Sequence, residues 1–508
     1  MASNLKVSVD WNRDGTFVGP FDDVTSSVRG GSAGQVTVEA GRDLTDVMPQ
    51  IITSRGSLTL DNRTRRYTRR NTASPLSGLL LPARPVSVTR VVGGVGGTGG
   101  TTQAIYRGRT DDHEGEPDPD RQAVTLGLVD VLQDMRGRKV STSVGVKTGI
   151  RVGDALNFLL NDIGWTAGRD IDPGVSLLPV WWEEGNDVFD SIGRLLSSEG
   201  PPAFVAIDAS GAFVFRDRHH RILKATSATS QGTWHAGGKV EPVLGAGFRA
   251  RDSWSTIVNS VQGSLPVYQI LGVQPVWSDD GPYFAPPSPA TNVIIAQADS
   301  IFVNVVGVRF NSGVGSPITV SVSAGIGPTV FITLRGGAIG NTASNLQLMA
   351  QPVVQTSTAS YSSSDGTSQT AYGVRSLPGT DSIGPWCTPG DAQAIADQVV
   401  QDRKNPLTQV TAQFAVGRTA GGNAAGSIAR ANAVLARQLS HRVTLDVPRE
   451  GLVAEDYFVE SITHELAGED DHVVTMTAEQ APTASPSGST IFRFDTAGQG
   501  FNQGVFGR

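Results

Sequence analysis

Short runs of alternating apolar and polar residues, closed by glycine or proline, recur along this chain and constrain it more than any other feature. Leu5 to Val9, Val36 to Glu39 and Gly56 to Leu60 are such runs. An alternation of period two puts one face of an extended strand on a core and the other in water, as in half-buried antiparallel strands. Sixty glycines and 28 prolines among 508 residues supply the turns, against a usual glycine share of about 7%. Many short strands are therefore expected, rather than long helices. A prior of about 150 residues per domain predicts three or four domains.

The alternation continues through Val86 to Thr89, Ile105 to Gly108 and Val124 to Asp130. Gly94 to Gly100, glycine apart from Val95 and Thr98, reads as a hairpin tip. The period then changes. Val152, Leu156, Leu159, Leu160 and Ile163 are spaced for a helix, with Gly164 as its C-cap. Val188, Ile192, Leu195 and Leu196 predict a second helix. Residues 203–216 predict a hairpin that turns at Ala209-Ser210-Gly211. From 266 to 365 charge becomes scarce and Ser, Thr, Gly and Val dominate, which predicts a β-sandwich. A helix is expected at 391–404, with Ile395, Val399 and Val400 inward, Asp391 in its first turn and Arg403-Lys404 in its last. Strands return at 409–415, 442–447, 457–466 and 472–479, and 481–508 reads as an extension with little core of its own.

Composition narrows the chemistry. A charged share of 18% excludes a charge-rich disordered chain. A net charge of −7 argues against a dedicated DNA-binding surface. The one cysteine, Cys387, excludes a disulfide framework or a multi-cysteine zinc site, and reads as a structural thiol. No run approaches the roughly 18 apolar residues of a membrane span. The start opens directly into strand-like sequence, so no secretory signal is expected and synthesis in a cytoplasm is.

Each candidate site has a plainer alternative. Asp10, Asn12 and Asp14, followed by Gly15, fit the opening of a calcium loop. The twelfth place is Phe21 where a bidentate Glu is needed, so an Asx-rich turn is the stronger expectation and calcium the weaker. No other cofactor is expected. His464-Glu465 and His472 lack the spacing of a His-Glu-x-x-His metalloprotease and read as exposed turn charges between two strands. His219-His220, among Arg216, Arg218 and Arg221, read as a solvated basic strand end rather than a ligand pair. Glu183, Glu184, Asp187 and Asp190 read as acids at a helix start rather than glycosidase carboxylates. Nothing here defines an enzyme.

The order of segments resembles the tail hub proteins of long-tailed bacteriophages, also called baseplate hub or minor tail proteins, and particularly the actinobacterial-phage type. The residues that carry the resemblance begin with Val7 to Phe17 followed by Asp23 to Ser26, and with Ile105 to Arg109 answered by Val124 to Leu126 and Asp130. They continue with Asn161-Asp162-Ile163-Gly164-Trp165, Phe213 to Arg218, Ile257-Val258-Asn259, Ser368 to Ser376, the 391–404 helix and Phe494 to Gly507. The fold class so implied is mainly β with an α+β middle. A first hub β-barrel would occupy 1–132, a mixed α/β domain 133–239, and the last hub domain, a second β-barrel, 240–265 with 366–480. The sandwich would be inserted at 266–365, and 481–508 would be the C-terminal extension.

The resemblance implies a virion protein at the tail tip with no catalytic role. A homotrimer would present six barrels in a pseudo-sixfold ring, joining the tail tube to the distal tip and fibres. Its implied partners are a distal tail protein or tail tube protein, the tape measure protein, and tail fibre or other tip proteins. DNA would pass through the channel without specific binding. The insert would be the part that contacts the host surface, with a cell-surface glycan as its ligand. The alternatives are a tail-associated cell-wall hydrolase, for which no catalytic constellation is seen, and a carbohydrate-binding array using Trp181, Trp182, Trp234, Trp254 and Trp277. Burial is the stronger expectation for those tryptophans.

Overall fold

A computed structural model of the chain describes residues 5–29, 36–92, 100–115, 122–140, 146–183, 185–236, 241–243, 247–324, 328–377, 383–416, 424–467 and 471–481. The chain is mainly β. Seven strands come first: β1 (Leu5–Val9), β2 (Val36–Gly41), β3 (Gln50–Ile52), β4 (Arg55–Asp61), β5 (Pro85–Val92), β6 (Thr101–Gly115) and β7 (Ala123–Val129). The expected alternation is visible in β5, where Val86, Val88, Arg90 and Val92 are buried and the residues between them are not. Six strands pair in the order β1-β5-β6-β7-β4-β2. Both ends of that order share one core, with Val7 and Val9 from β1 and Val36 and Val38 from β2. Residues 22–29 draw the curl together. Val9 N–H donates to Asp22 O at 2.8 Å, Val24 N–H to Val7 O at 3.0 Å, and Arg29 N–H to Thr59 O at 3.1 Å. The first two bonds cover the outer edge of β1, which would otherwise be an open template for pairing, and the third ties the segment to β4. The glycine-rich tip expected at 94–100 lies outside the described residues except for Gly100.

The middle of the chain holds β8 (Lys147–Arg151), α1 (Val152–Asp162), β9 (Arg169–Ile171), β10 (Leu177–Trp181), α2 (Val188–Glu199), β11 (Phe204–Ile207), β12 (Phe213–Arg216), α3 (His220–Leu223) and α4 (Ala225–Ala228). Both expected amphipathic helices are present. Gly164 has φ +67° and closes α1, and Asp187 caps α2 by accepting from Phe189 N–H at 2.9 Å. The expected hairpin is β11–β12, with Phe204 opposite Arg216. It forms the centre of a four-stranded sheet, β3-β11-β12-β9. The early strand β3 therefore belongs to this sheet and not to the first one; three residues are too short to show which core they serve. Leu156, Leu159 and Leu160 of α1 meet Ile192, Leu195 and Leu196 of α2, over Val205, Phe213 and Phe215. Each such fully buried side chain contributes about 1.5–3 kcal/mol.

The following strands are β13 (Thr233–Ala236), β14 (Glu241–Val243), β15 (Arg249–Asp252), β16 (Ser260–Ile270), β17 (Gln274–Asp279), β18 (Tyr283–Ala285), β19 (Asn292–Gln297), β20 (Phe302–Ser312), β21 (Thr319–Ala324), β22 (Thr329–Arg335) and β23 (Asn341–Ser364). The first and last of the charge-poor region, β16 and β23, run antiparallel from Ser260 opposite Ser364 to Ile270 opposite Val353. They form a two-stranded arm. Beyond it, β17, β18 and β20 add to the far part of β23, and β19-β22-β21 form a second, three-stranded sheet. The two sheets face one core, Ile294, Val330, Ile332 and Leu334 against Val276, Leu346, Leu348 and Ala350.

At the foot of the arm, Asn259 is fully buried. Its amide donates to Ser368 Oγ (3.0 Å) and Gly373 O (2.9 Å), and its oxygen accepts from Arg375 N–H (2.7 Å). Two segments quoted for the resemblance are thereby brought together.

The chain closes with α5 (Gly366–Tyr372), α6 (Pro389–Arg403), β24 (Thr408–Ala415), α7 (Ala424–Leu435), β25 (Arg442–Val447), β26 (Leu452–Leu466) and β27 (His472–Gln480). Helix α6 starts two residues before the expected Asp391. Thr388 is the N-cap, with its hydroxyl accepting from Asp391 N–H, and Pro389 takes the first helical place. Helix α7 was not legible in the alanine-rich stretch it occupies. The last strands join β13, β14 and β15, and β26 pairs with β2, Val36 opposite Leu466. The first and last β units are thus one continuous 13-stranded sheet. The extension from 482 onward lies outside the described residues.

Candidate functional site

Where the three parts of the body meet, the chain buries charge. Strand β26 has a register shift between Val459 and Ser461, and Glu460, at the shift, is 1% exposed. Gly41 makes the close approach here possible, since a Cβ at that position would lie 2.2 Å from Ser461 Cβ. Arg42, just past β2, donates its backbone N–H to Glu460 O (2.9 Å) and places its guanidinium 3.3 Å from the carboxylate. From the middle part, Arg221 of α3 places its guanidinium 2.5 Å from the other carboxylate oxygen. It also donates to Ser440 Oγ at 3.0 Å and lies 4.5 Å over the Phe458 ring. One carboxylate on the last β unit therefore holds a guanidinium from each of the other two parts. A buried pair of this kind contributes little net stability, but removing one member leaves a desolvated charge, so it fixes a relative orientation.

Two further clusters tie α6 to this seam at both ends. At its C-terminal end Arg403 grips Glu479 of β27 with two bonds of 2.6 and 2.7 Å. Burial pushes the Glu479 carboxyl up, and Arg403 outweighs that and holds it low. At the other end Asp391 sits 3.3 Å from Arg218, whose own guanidinium donates to Glu199 O at 3.3 Å. The Glu199 carboxylate accepts from Val175 N–H (2.8 Å) and Ser176 N–H (3.1 Å). Burial dominates there and raises its pKa to about 7.

His219-His220 departs from the expected solvated strand end. His220 is 5% exposed, and its Nδ1 lies 2.7 Å from Asp172 Oδ2, with Lys224 Nζ 3.1 Å from the other oxygen. Burial opposes ionisation of Asp172, but the His220 bond and charge outweigh it and lower the pKa to about 2. The charges of this segment turn inward because the sheet β11–β12 ends against the helix termini, where polar partners already exist. An imidazole on a carboxylate is the arrangement of a general base, but both groups are sealed from solvent.

Both carboxylate oxygens of Asp10 accept backbone bonds, from Asp14 N–H at 3.1 Å and Gly15 N–H at 2.9 Å. Asp14 accepts from Thr16 N–H (2.8 Å) and Thr16 Oγ1 (2.7 Å), and Asn12 donates its amide to Asp14 at 2.9 Å. The three side chains thus satisfy a turn with their own neighbours. Among the described residues, no group of three or more His, Cys, Asp or Glu is placed to hold a metal ion. Glu183 is buried on Arg194. Cys387 is buried and free, and burial pushes its thiol up to about 12.

His464 and His472 also depart from expectation. They lie on paired strands, with His464 Nδ1 3.1 Å from His472 Nε2, and His472 is 1% exposed. His472 shares the inward parity of Val474 and Met476. Burial lowers both imidazoles, His464 to about 4. Of the tryptophans, Trp181 and Trp234 are buried, but Trp254 is 62% exposed, with the Arg375 guanidinium 4.0 Å from its ring centroid.

The seam residues Arg42, Arg221, Arg403, Glu460 and Glu479 were not singled out from sequence. The one signal was a lone Glu inside the apolar run Tyr457-Phe458-Val459-Glu460-Ser461-Ile462.

No family model matches the chain, and no curated protein matches it. Solved structures do. The 43 kDa tail protein of prophage MuSo2 from Shewanella oneidensis is 11% identical, covers 94% of this chain and 98% of its own, and has a TM-score of 0.44. The tail protein from Neisseria meningitidis MC58 is 9% identical, with 94% and 97% covered and a TM-score of 0.43. Prophage tail protein gp18 from Listeria monocytogenes EGD-e is 9% identical, with 95% and 96% covered and a TM-score of 0.39. All three are tail proteins by name, two of them of prophages. At such low identity and TM-score the likeness carries no functional assignment.

Proposed function

We propose that this chain is a structural hub of a phage tail tip, with no catalytic role. Three copies form a pseudo-sixfold ring, two β units per copy, between the tail tube or distal tail protein above and the fibres or other tip proteins below. The ring lines the channel that DNA follows once the tape measure protein has left. The insert on its two-stranded arm engages the host surface.

The observation that carries this reading is the joined sheet. Residues more than 400 positions apart pair as neighbours, Val36 with Leu466, and the junction is clamped by Glu460 between Arg42 and Arg221. A ring segment must hold its two units at a fixed angle, and buried ion pairs across a continuous sheet supply that. The sequence resemblance and an overall charge of −7, which suits a channel DNA should not stick to, support the same reading.

A cryo-EM reconstruction of the intact tail tip tests it. The expected result is three copies on the tail axis directly below the tube, with six β units in a ring. A peripheral position, or another symmetry, would make the chain a fibre or sugar-binding component. Phage carrying a deletion of 271–352 should keep its tails and lose adsorption. Unchanged adsorption would remove the host-binding role of the insert while leaving the hub reading in place.

A further inference from the structure

The loop between β4 and β5 carries five arginines in eight positions: Arg63, Arg65, Arg66, Arg69 and Arg70. It runs for more than 20 residues without strand or helix, yet it is held from within. Asn62 donates to Thr68 Oγ1 at 2.9 Å and accepts from Tyr67 N–H at 2.9 Å. Asn71 donates to Arg65 O at 2.9 Å, and Ser74 to Arg66 O at 2.5 Å. Tyr67 is 2% exposed, with its hydroxyl 2.9 Å from Ser27 Oγ, and Leu76 is fully buried. Long loops packed by their own side chains are frequently functional. The anchors alternate with arginines, so the backbone is fixed while the guanidiniums project. Arg65, Arg69 and Arg70 are exposed and make no salt bridge among the described residues; Arg63 pairs with Asp61, and Arg66 lies 5.4 Å over the Phe21 ring.

Beside the loop is a cleft of about 540 Å³. Ser26, Ser27, Thr64 and Asn71 line it with neutral donors, alongside Arg63 and Arg66; the one acid in the lining, Asp61, is paired with Arg63. Hydroxyls, amides and arginine forks on a rigid loop are the groups that bind phosphate oxygens of nucleic-acid backbones. Strand β6 meets the loop at His113, and its exposed acids Asp111, Asp112 and Glu114 bound the patch on that side. The net charge of −7 predicts that DNA is repelled by the molecule as a whole. The arginines are concentrated where that average does not apply.

We infer that the 62–74 loop and its cleft form a contact site for the phosphate backbone of duplex DNA, without base recognition. This goes beyond the hub reading and does not depend on a ring. It gives the departing or arriving genome one electrostatic touchpoint on an otherwise acidic protein.

The test uses the full-length chain and a labelled 30-base-pair duplex, with fluorescence anisotropy across a salt series. Three to five phosphate contacts predict a slope of log K against log salt of roughly −3 to −4.5, a loss on the order of 40- to 500-fold between 50 and 200 mM salt. The triple variant R65Q/R69Q/R70Q should lower the slope by about one per arginine at an unchanged unfolding midpoint. If the midpoint falls, R65K/R69K/R70K keeps the charge and should keep salt-dependent binding; its loss would overturn the proposal. Wild-type chain without salt-dependent binding, or a triple variant whose affinity and salt slope equal those of the wild type, would also overturn it. So would polyglutamate competing as well as DNA of equal charge, which would make the partner an acidic protein.

Discussion

The body and the insert of this molecule are held together by different physics. The body buries Arg42, Arg221, Arg403, Glu460 and Glu479 where its parts meet, and adds the Asp172–His220 and Arg218–Asp391 pairs. The insert beyond the arm, 271–352, has five charged residues, Asp279, Asp280, Asp299, Arg309 and Arg335, and no salt bridge among its described residues. Its sheets meet through an apolar core that includes Ile294, Ile332, Leu346 and Leu348. Ion pairs have direction and specify how parts are oriented; apolar contact has none and only needs to be dry. The body is thus built to hold an angle between units, and the insert to be a self-contained module on a two-stranded arm.

The comparison predicts two unfolding transitions, and the largest expected effect falls on the first. Glu460→Ala leaves two guanidiniums facing an apolar seam, and should cost the body about 3–5 kcal/mol in urea unfolding with the insert unaffected. A matching loss in both transitions would break the distinction. In the other direction, Leu348→Ala should remove about 2–5 kcal/mol from the insert and leave the body where it was.

Acid comes next. His464 and His472 have folded pKa values depressed by burial, His464 from 6.5 to about 4. The unfolded chain therefore takes up protons between those values that the folded chain refuses. Their contribution is present above pH 6.5 and lost as pH falls towards 4. The raised carboxyls Glu199, at about 7, and Asp130, at about 6, act in the opposite sense, favouring the folded state as pH falls through those values. A variant separates the two. With His464→Asn and His472→Asn together, the body should lose less stability between pH 7.5 and pH 5 than the wild type does. The insert, which has no histidine, should stay flat over the same range in both proteins. The smallest effect is at the foot of the arm. Trp254→Ala removes an exposed cation–π contact with Arg375 and should cost about 0.5–1 kcal/mol.

Local pattern carried far in this chain. Helices α1, α2 and α6, the β11–β12 hairpin and the alternating strands were all legible, because each is specified by its own spacing and caps. The misreadings share one cause. His219-His220 and His464–His472 look like surface charge when taken in line with their neighbours. Their partners, Asp172 and the facing strand, are set by packing between segments far apart or across a turn. Glu460 finds Arg42 418 positions away, and no window of sequence contains both.

The sequence by itself determined that the chain is mainly β, that helices interrupt it in the middle, and that residues 266–365 differ from the rest in charge. These follow from side-chain period and composition, which act over a few residues. Only the tertiary structure decided that the first and last strands form one sheet, that β3 crosses into the middle sheet, and that the charges near 218–221 are buried. Pairing between distant strands depends on which edges are left open once every local element has formed, and on which buried charges can find a partner there.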